Sequence, residues 1–153
     1  MKLRLYKEDD LKEIITLFYS TVHVINIKDY TKDQVNAWAP MDIDINKWNS
    51  SLSKNYTVIA EFNNLIVGFG DLDDTGYFDR LYVHKDFQGQ GIATMITLEI
   101  ENYARSKNIK TLTTEASITA KPFFEKFGYE VIEEQQVYRL GQALNNFVMK
   151  KEI

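Results

Sequence analysis

Hydrophobic residues recur along this chain with two periods, one of three to four residues and one of two. Leu11, Ile14, Ile15, Phe18, Val22 and Ile25 return at three- and four-residue steps, which predicts an amphipathic helix of about four or five turns. A short alternating stretch, KLRLY at 2–6, reads as a strand before it, and the acids of KEDD at 7–10 can cap it. The pattern loosens from 26 to 54. There TKDQVNAWAP (31–40) starts like a capped short helix and ends at Pro40, and DINKWNSSL (44–52) reads as another.

From Tyr56 the period becomes two. Tyr56, Val58, Ala60 and Phe62 share a face, and the Asn63–Asn64 pair is a turn tolerant of positive φ. LIVGFGDL (65–72) is then the second strand of a hairpin, DDTG (73–76) turns again, and YFDRLYV (77–83) is a third antiparallel strand. A helix is predicted over 89–107 with Ile92, Met95, Ile96, Ile100 and Tyr103 on one face, and KTLTTEA (110–116) returns to strand. Another helix carries Phe123, Phe124 and Phe127, with Pro122 in its first turn and Gly128 at its cap. YEVIEEQQVYRL (129–140) and NNFVMKKEI (145–153) close as a hairpin. The order β, α, α, β, β, β, α, β, α, β, β predicts an α/β fold, with helices around a mixed, mostly antiparallel sheet. With no repeats and no linker-like stretch, 1–153 reads as a single domain.

Composition narrows the function. The chain has no cysteine, which removes disulfides, thiolate metal sites and a cysteine nucleophile, and fits a reducing compartment. Net charge is −4 and the lysines are scattered among acids, so no nucleic-acid partner is expected. The N-terminal MKLRLYKEDD turns charged too early for a signal sequence, and no window approaches a membrane span. The expectation is a cytoplasmic protein without a membrane partner.

The stretch FQGQGIATMI (87–96) puts two glycines at a helix start, where they weaken the helix. First-turn amides lack internal partners and carry partial positive charge, so they attract anions, and glycines let the main chain wrap closely around a phosphate. A purely structural turn is the other reading of the same residues. A mononucleotide P-loop would need a Lys-Ser/Thr pair, and the dinucleotide fingerprint fails because Thr94 or Met95 stands where its third glycine belongs.

At this point the chain resembles a known family. LYVHKDFQGQGIA (81–93) is similar to the acetyl-CoA-binding motif of the GNAT superfamily of N-acetyltransferases, Q/R-x-x-G-x-G/A, here Gln88, Gly91 and Ala93. ASITAKPFFEKFGYE (116–130) resembles that family's later segment A-x-x-F-Y-E-K-x-G-F. TVHVINIKDYTKDQVNAWAP (21–40) also resembles a bacterial subgroup with a His, a Tyr and an Ala-Trp-Ala-Pro between its first helices.

The resemblance implies acetyl-CoA as cofactor, with the diphosphate on backbone amides of Gln88, Gly89, Gln90, Gly91, Ile92, Ala93 and Thr94. Leu81, Tyr82 and Val83 would run beside the pantetheine arm, the Val83 N–H would meet the acetyl oxygen, and Ser117, Phe123 and Phe124 would border the same cofactor. Phe124 departs from the many members that carry a proton-donating Tyr there. A leaving thiolate with a pKa of about 8.5 makes that loss worth only about 1–2 kcal/mol. The attacking amine calls for a base, for which Asp79 and Glu115 are the candidates. Asp79 also reads as an ion-pair partner of a neighbouring Lys or Arg, and Glu115 as a solvated strand end or helix-capping acid. His23, Tyr30, Trp38 and Tyr138 are the candidates for acceptor contact, with Trp48 as a further wall. The expected activity is direct acetyl transfer, without a metal, to a primary amine of a small molecule or peptide in a ternary complex, by a monomer or homodimer. The alternative is an acyl-CoA-binding or sensing module without turnover.

Overall fold

Helix α1, Leu11–Val24, forms where the periodic apolar residues predict it, and it buries Ile14, Leu17, Phe18, Thr21 and Val22. Its entry is fixed by Asp10, which takes two guanidinium nitrogens of Arg4 at 2.8 Å each and the Lys7 amide at 3.0 Å. In this computed structural model, which describes all residues 1–153, two more helices follow. Helix α2, Lys32–Trp38, opens on a capping box in which Thr31 Oγ1 accepts from the Gln34 amide (3.1 Å) and Gln34 Oε1 from the Thr31 amide (2.8 Å). It stops before Pro40, which cannot continue the ladder. Helix α3, Ile45–Lys54, is capped by Asp44 Oδ1 on the Lys47 amide at 3.1 Å. Three helices therefore lie between β1 (Lys2–Leu5) and β2 (Tyr56–Phe62), the two short ones where TKDQVNAWAP and DINKWNSSL predict them, although the expected order of elements holds only two there.

The remaining elements are β3 (Leu65–Leu72), β4 (Tyr77–Val83), α4 (Ile92–Ser106), β5 (Thr111–Ser117), α5 (Lys121–Lys126), β6 (Glu130–Arg139) and β7 (Gln142–Glu152). The strands make one seven-stranded sheet in the order β1-β2-β3-β4-β5-β7-β6. Every neighbouring pair is antiparallel except β4 and β5. The β2–β3 turn is the expected one, with Asn63 at φ 50° and Asn64 at φ 65°. No helix is long and apolar enough to cross a membrane.

The sheet separates two apolar layers. On one face α4 and α5 pack Ile92, Ile96, Ile100 and Phe124 onto Val67, Phe78 and Leu112. On the other, α1 to α3 pack Ile14, Phe18, Val35 and Leu52 onto Ile59, Phe69 and Leu144. Helix α4 lies close to β3 because that strand is glycine at two positions: a Cβ at Gly68 would meet Ile92 at 2.8 Å, and one at Gly70 would meet Ile96 at 2.9 Å. The helix itself begins at Ile92, three residues later than the sequence pattern predicts. Gly89 and Gly91 precede it with φ of 72° and 80°, so they belong to the loop and the cap.

Candidate active site

The site begins with a defect in β4. Asp71 faces Arg80 across the β3–β4 ladder and Leu72 faces Phe78, so Asp79 is an extra residue, a bulge. Pairing between β4 and β5 covers only Tyr77↔Thr113 and Phe78↔Thr114 and ends where the bulge begins. Beyond that point the two strands separate and leave a cleft through the sheet. The bulge also breaks alternation along β4: Phe78, Leu81 and Val83 face α4, while Tyr82 faces α1.

Backbone groups of β4 are exposed to that cleft. The His84 amide donates to the Val67 carbonyl at 2.8 Å. Strict alternation of an antiparallel ladder then puts the Tyr82 amide on β3 and turns the Leu81 and Val83 amides toward β5. The Val83 carbonyl is occupied, by Thr21 Oγ1 at 2.9 Å and Gln88 Nε2 at 2.8 Å. Gln88 thus ties the loop back to the strand through its side chain.

After β4 the chain turns through His84 to Phe87 and enters α4 through Gly91 in the left-handed region. The first amide of this helix end to bond within it is Met95, to the Gly91 carbonyl at 3.0 Å, so those of Ile92, Ala93 and Thr94 point outward unpaired. A Cβ at Gly89 or Gly91 would meet no protein atom within 4 Å. What demands glycine here is the positive φ, and the open side of the loop is the shape a diphosphate fills. The residues present fit that group.

Two cavities flank the cleft. One, of about 460 Å³, is bounded by the loop and α4 start, the ends of β4 and β5, α5 and the α1–α2 segment, with Leu81, Val83, Gly91, Thr94, Ser117 and Phe123 among its walls. The other, of about 310 Å³, lies among α1 to α3 and β6–β7, with Phe18, Tyr30, Trp48, Tyr77, Arg80 and Arg139 on its walls. Trp38, Asp79, Tyr82, Glu115 and Ser117 border both. The cavities therefore meet at two carboxylates.

Those carboxylates differ. Glu115 accepts from the Tyr77 hydroxyl at 2.8 Å and from Gln135 Nε2, which fixes both its oxygens. Burial and this bond push the Tyr77 hydroxyl well above the ordinary phenol range, so it remains a donor. Asp79 lies 3.6 Å from Arg80 Nη1 and keeps 34% of its side chain open. Burial raises its carboxyl above the usual range; Arg80 opposes this and the charges of Asp73 and Glu115 add to it. Arg80 is itself held by buried Asp71, by Ser51 Oγ at 2.6 Å and by the Trp48 ring at 4.6 Å. Burial pushes Asp71 up to about 6 even with that guanidinium against it.

Of the residues singled out from sequence, Asp79, Glu115, Leu81, Tyr82, Val83, Gln88, Gly89, Gly91, Ile92, Ala93, Thr94, Ser117, Phe123, Phe124, Tyr30 and Trp38 border one or both cavities. Phe124 is only 3% exposed and packs edge-on against Phe78, Phe123 and Tyr129. Three stand apart. Gln90 lies outside both cavity walls, and Tyr138, at 67% exposure on β6, borders neither. His23 is spent on the Ala39 carbonyl at 2.8 Å and stacks on Tyr19, away from both cavities. Sequence reasoning missed Tyr77, Arg80, Asn146, Thr21 and Asn26. Only Arg80 had a readable signal: a hairpin through DDTG brings the strand bearing Asp71 beside the one bearing Arg80.

Comparison with known proteins agrees with this geometry. The acetyltransferase (GNAT) domain family matches residues 26–152. The chain is 31% identical over 150 residues to the uncharacterized N-acetyltransferase YafP of Escherichia coli (strain K12), covering 98% of this chain and 95% of that one. A GCN5-related N-acetyltransferase from Rhodopseudomonas palustris superposes with a TM-score of 0.96 at 32% identity, over 99% of this chain and 95% of that one. PaiA N-acetyltransferase from Thermoplasma acidophilum, solved in complex with coenzyme A, shares the fold with a TM-score of 0.83 at 16% identity, over 99% and 98%. A bulged, splayed sheet with a glycine loop at its cleft and a family match over most of its length make this chain a member of the GNAT acetyltransferase family, and an acetyltransferase enzyme.

Proposed function

We propose that this acetyltransferase uses acetyl-CoA to acetylate a primary amine by direct attack, with both reactants bound at once. The observation that carries the reading is the meeting of the two cavities at Asp79 and Glu115. The unpaired amides of Ile92, Ala93 and Thr94 and the open loop at Gly89 and Gly91 would hold the diphosphate. The Leu81 and Val83 amides, turned to the cleft, would receive an extended arm as an added strand. The relative of similar fold that was solved with coenzyme A supports this assignment. Bound there, acetyl-CoA would supply an acetyl carbonyl activated as a thioester, from which an attacking neutral amine would displace CoA as its thiolate, the C–S electron pair leaving on sulfur.

The Val83 N–H is a preorganised donor at the cleft, and one such donor can be worth about 3–4 kcal/mol in a transition state. Asp79, its carboxyl already raised, is placed to take the amine's proton, with Glu115 held beside it by Tyr77 and Gln135. With no cysteine to carry the acetyl group, direct attack is the simpler course. Phe124 contributes packing. The acceptor-side cavity supports turnover over mere sensing, since a receptor needs only the first.

Isothermal titration with acetyl-CoA, followed by release of CoA thiol across a panel of amines, tests the reading. Binding together with amine-dependent thiol release is expected. Binding with no release on any amine would leave a receptor, and no binding would remove the loop from the site.

A further inference from the structure

The acceptor cavity is charged unevenly. Its carboxylates, Asp79 and Glu115, stand at the junction with the cofactor cavity, while its guanidinium groups, Arg80 and Arg139, line only the acceptor side. Arg80 is already matched by Asp71, Asp79 and Ser51. Arg139 is not: it stands exposed at the open side of the cavity, its side chain bonds only the neighbouring Tyr138 carbonyl, at 3.0 Å, and it forms no ion pair within the chain. A second unmet group lies on β7, where Asn146 borders the cavity with its Oδ1 buried and without a hydrogen-bond partner. An orphaned acceptor of this kind is costly until a donor arrives.

The walls also shape the space offered to the guest. The Tyr30 hydroxyl donates to the Asn145 carbonyl at 2.6 Å and Gln34 Nε2 to the Ala143 carbonyl at 2.8 Å, which stitches the α1–α2 segment to β7. What remains is about 310 Å³, at the low end for a small-molecule site. Phe18, Trp38, Trp48, Val137 and Leu144 are among its apolar walls.

Resting on the acetyltransferase reading above, we propose that the acceptor is a small aminocarboxylate with an apolar or aromatic body. Its amine lies toward Asp79, Glu115 and the Asn146 oxygen, and its carboxylate toward Arg139. A polyamine is disfavoured, because its second ammonium would face Arg80 and Arg139 with no acid to receive it.

The test uses matched pairs that differ only in the carboxylate, phenylalanine against phenethylamine and leucine against isoamylamine, with spermidine alongside. CoA thiol release gives kcat/KM for each, and titration of phenylalanine into the enzyme with coenzyme A present gives binding directly. The aminocarboxylate is expected to exceed its decarboxylated partner about tenfold, the range of a charge-assisted hydrogen bond. Arg139→Gln should bring that ratio near one and Arg139→Lys should restore part of it, with thermal melting confirming that both variants fold. Equal or better turnover of phenethylamine or spermidine, or a ratio unmoved by Arg139→Gln, overturns the acceptor class while the acetyltransferase reading stands. Acetyl-CoA binding without thiol release on any amine overturns both, and failure of phenylalanine to bind overturns this proposal by itself.

Discussion

Replacing Tyr30 with phenylalanine removes a single oxygen that holds three parts of the molecule together. Tyr30 is 8% exposed, and its hydroxyl donates to the Asn145 carbonyl at 2.6 Å while accepting from the Ile118 amide at 3.0 Å. The variant leaves one carbonyl and one amide without those partners. Each net bond contributes about 0.5–1.5 kcal/mol, and a stranded buried group costs about 1–3. Because Tyr30 borders an open cavity, water can reach part of the vacated space, which favours the lower half of that range. The expected loss is about 2 kcal/mol, or roughly 4–8 °C in Tm for a domain of this size. Urea denaturation measures it directly. The bond joins acceptor-side walls, so KM for any amine turned over should rise while acetyl-CoA affinity holds. A stability loss under about 0.5 kcal/mol, or equal damage to acetyl-CoA binding, would show that Tyr30 does not tie these walls together.

Three further outcomes are expected. Gly91→Asp places a β-carbon at φ 80° and a negative charge beside the outward amides, so acetyl-CoA affinity should fall at least about tenfold by calorimetry, while folding loses only about 1–2 kcal/mol because no protein atom lies in the way. Asp79→Asn should remove the lower inflection of the kcat/KM profile against pH, which lies above the ordinary Asp value because burial raises this carboxyl; Glu115→Gln with an unchanged inflection and Asp79→Asn without one would assign the base. Asp71, raised to about 6, binds its proton more tightly folded than unfolded, so its contribution to stability is full below about pH 4 and is lost as pH rises through 6, by about 3 kcal/mol in all. Denaturation of the wild type and Asp71→Asn at several pH values should give a stability difference that moves in the wild type's disfavour from pH 4 to pH 7, and a flat difference would refute the raised carboxyl.

The amino-acid sequence by itself determined what local physics governs. Residue period set α1 and β2, the turns at Asn63–Asn64 and DDTG bracketed β3 and β4, and glycines bracketing Gln90 marked the open loop before α4. Backbone dihedral limits and hydrophobic periodicity act over a few residues, so they can be read along the chain. Only tertiary structure decided that Asp79 is a bulge, that β4 and β5 part after Phe78 and Thr114, and that two cavities meet there. The same holds for Thr21 reaching the Val83 carbonyl, for Arg80 on buried Asp71, and for His23 turning to Ala39 instead of the cleft. Each of these depends on strand register and on which polar group finds a partner at long range, and no local period encodes that choice.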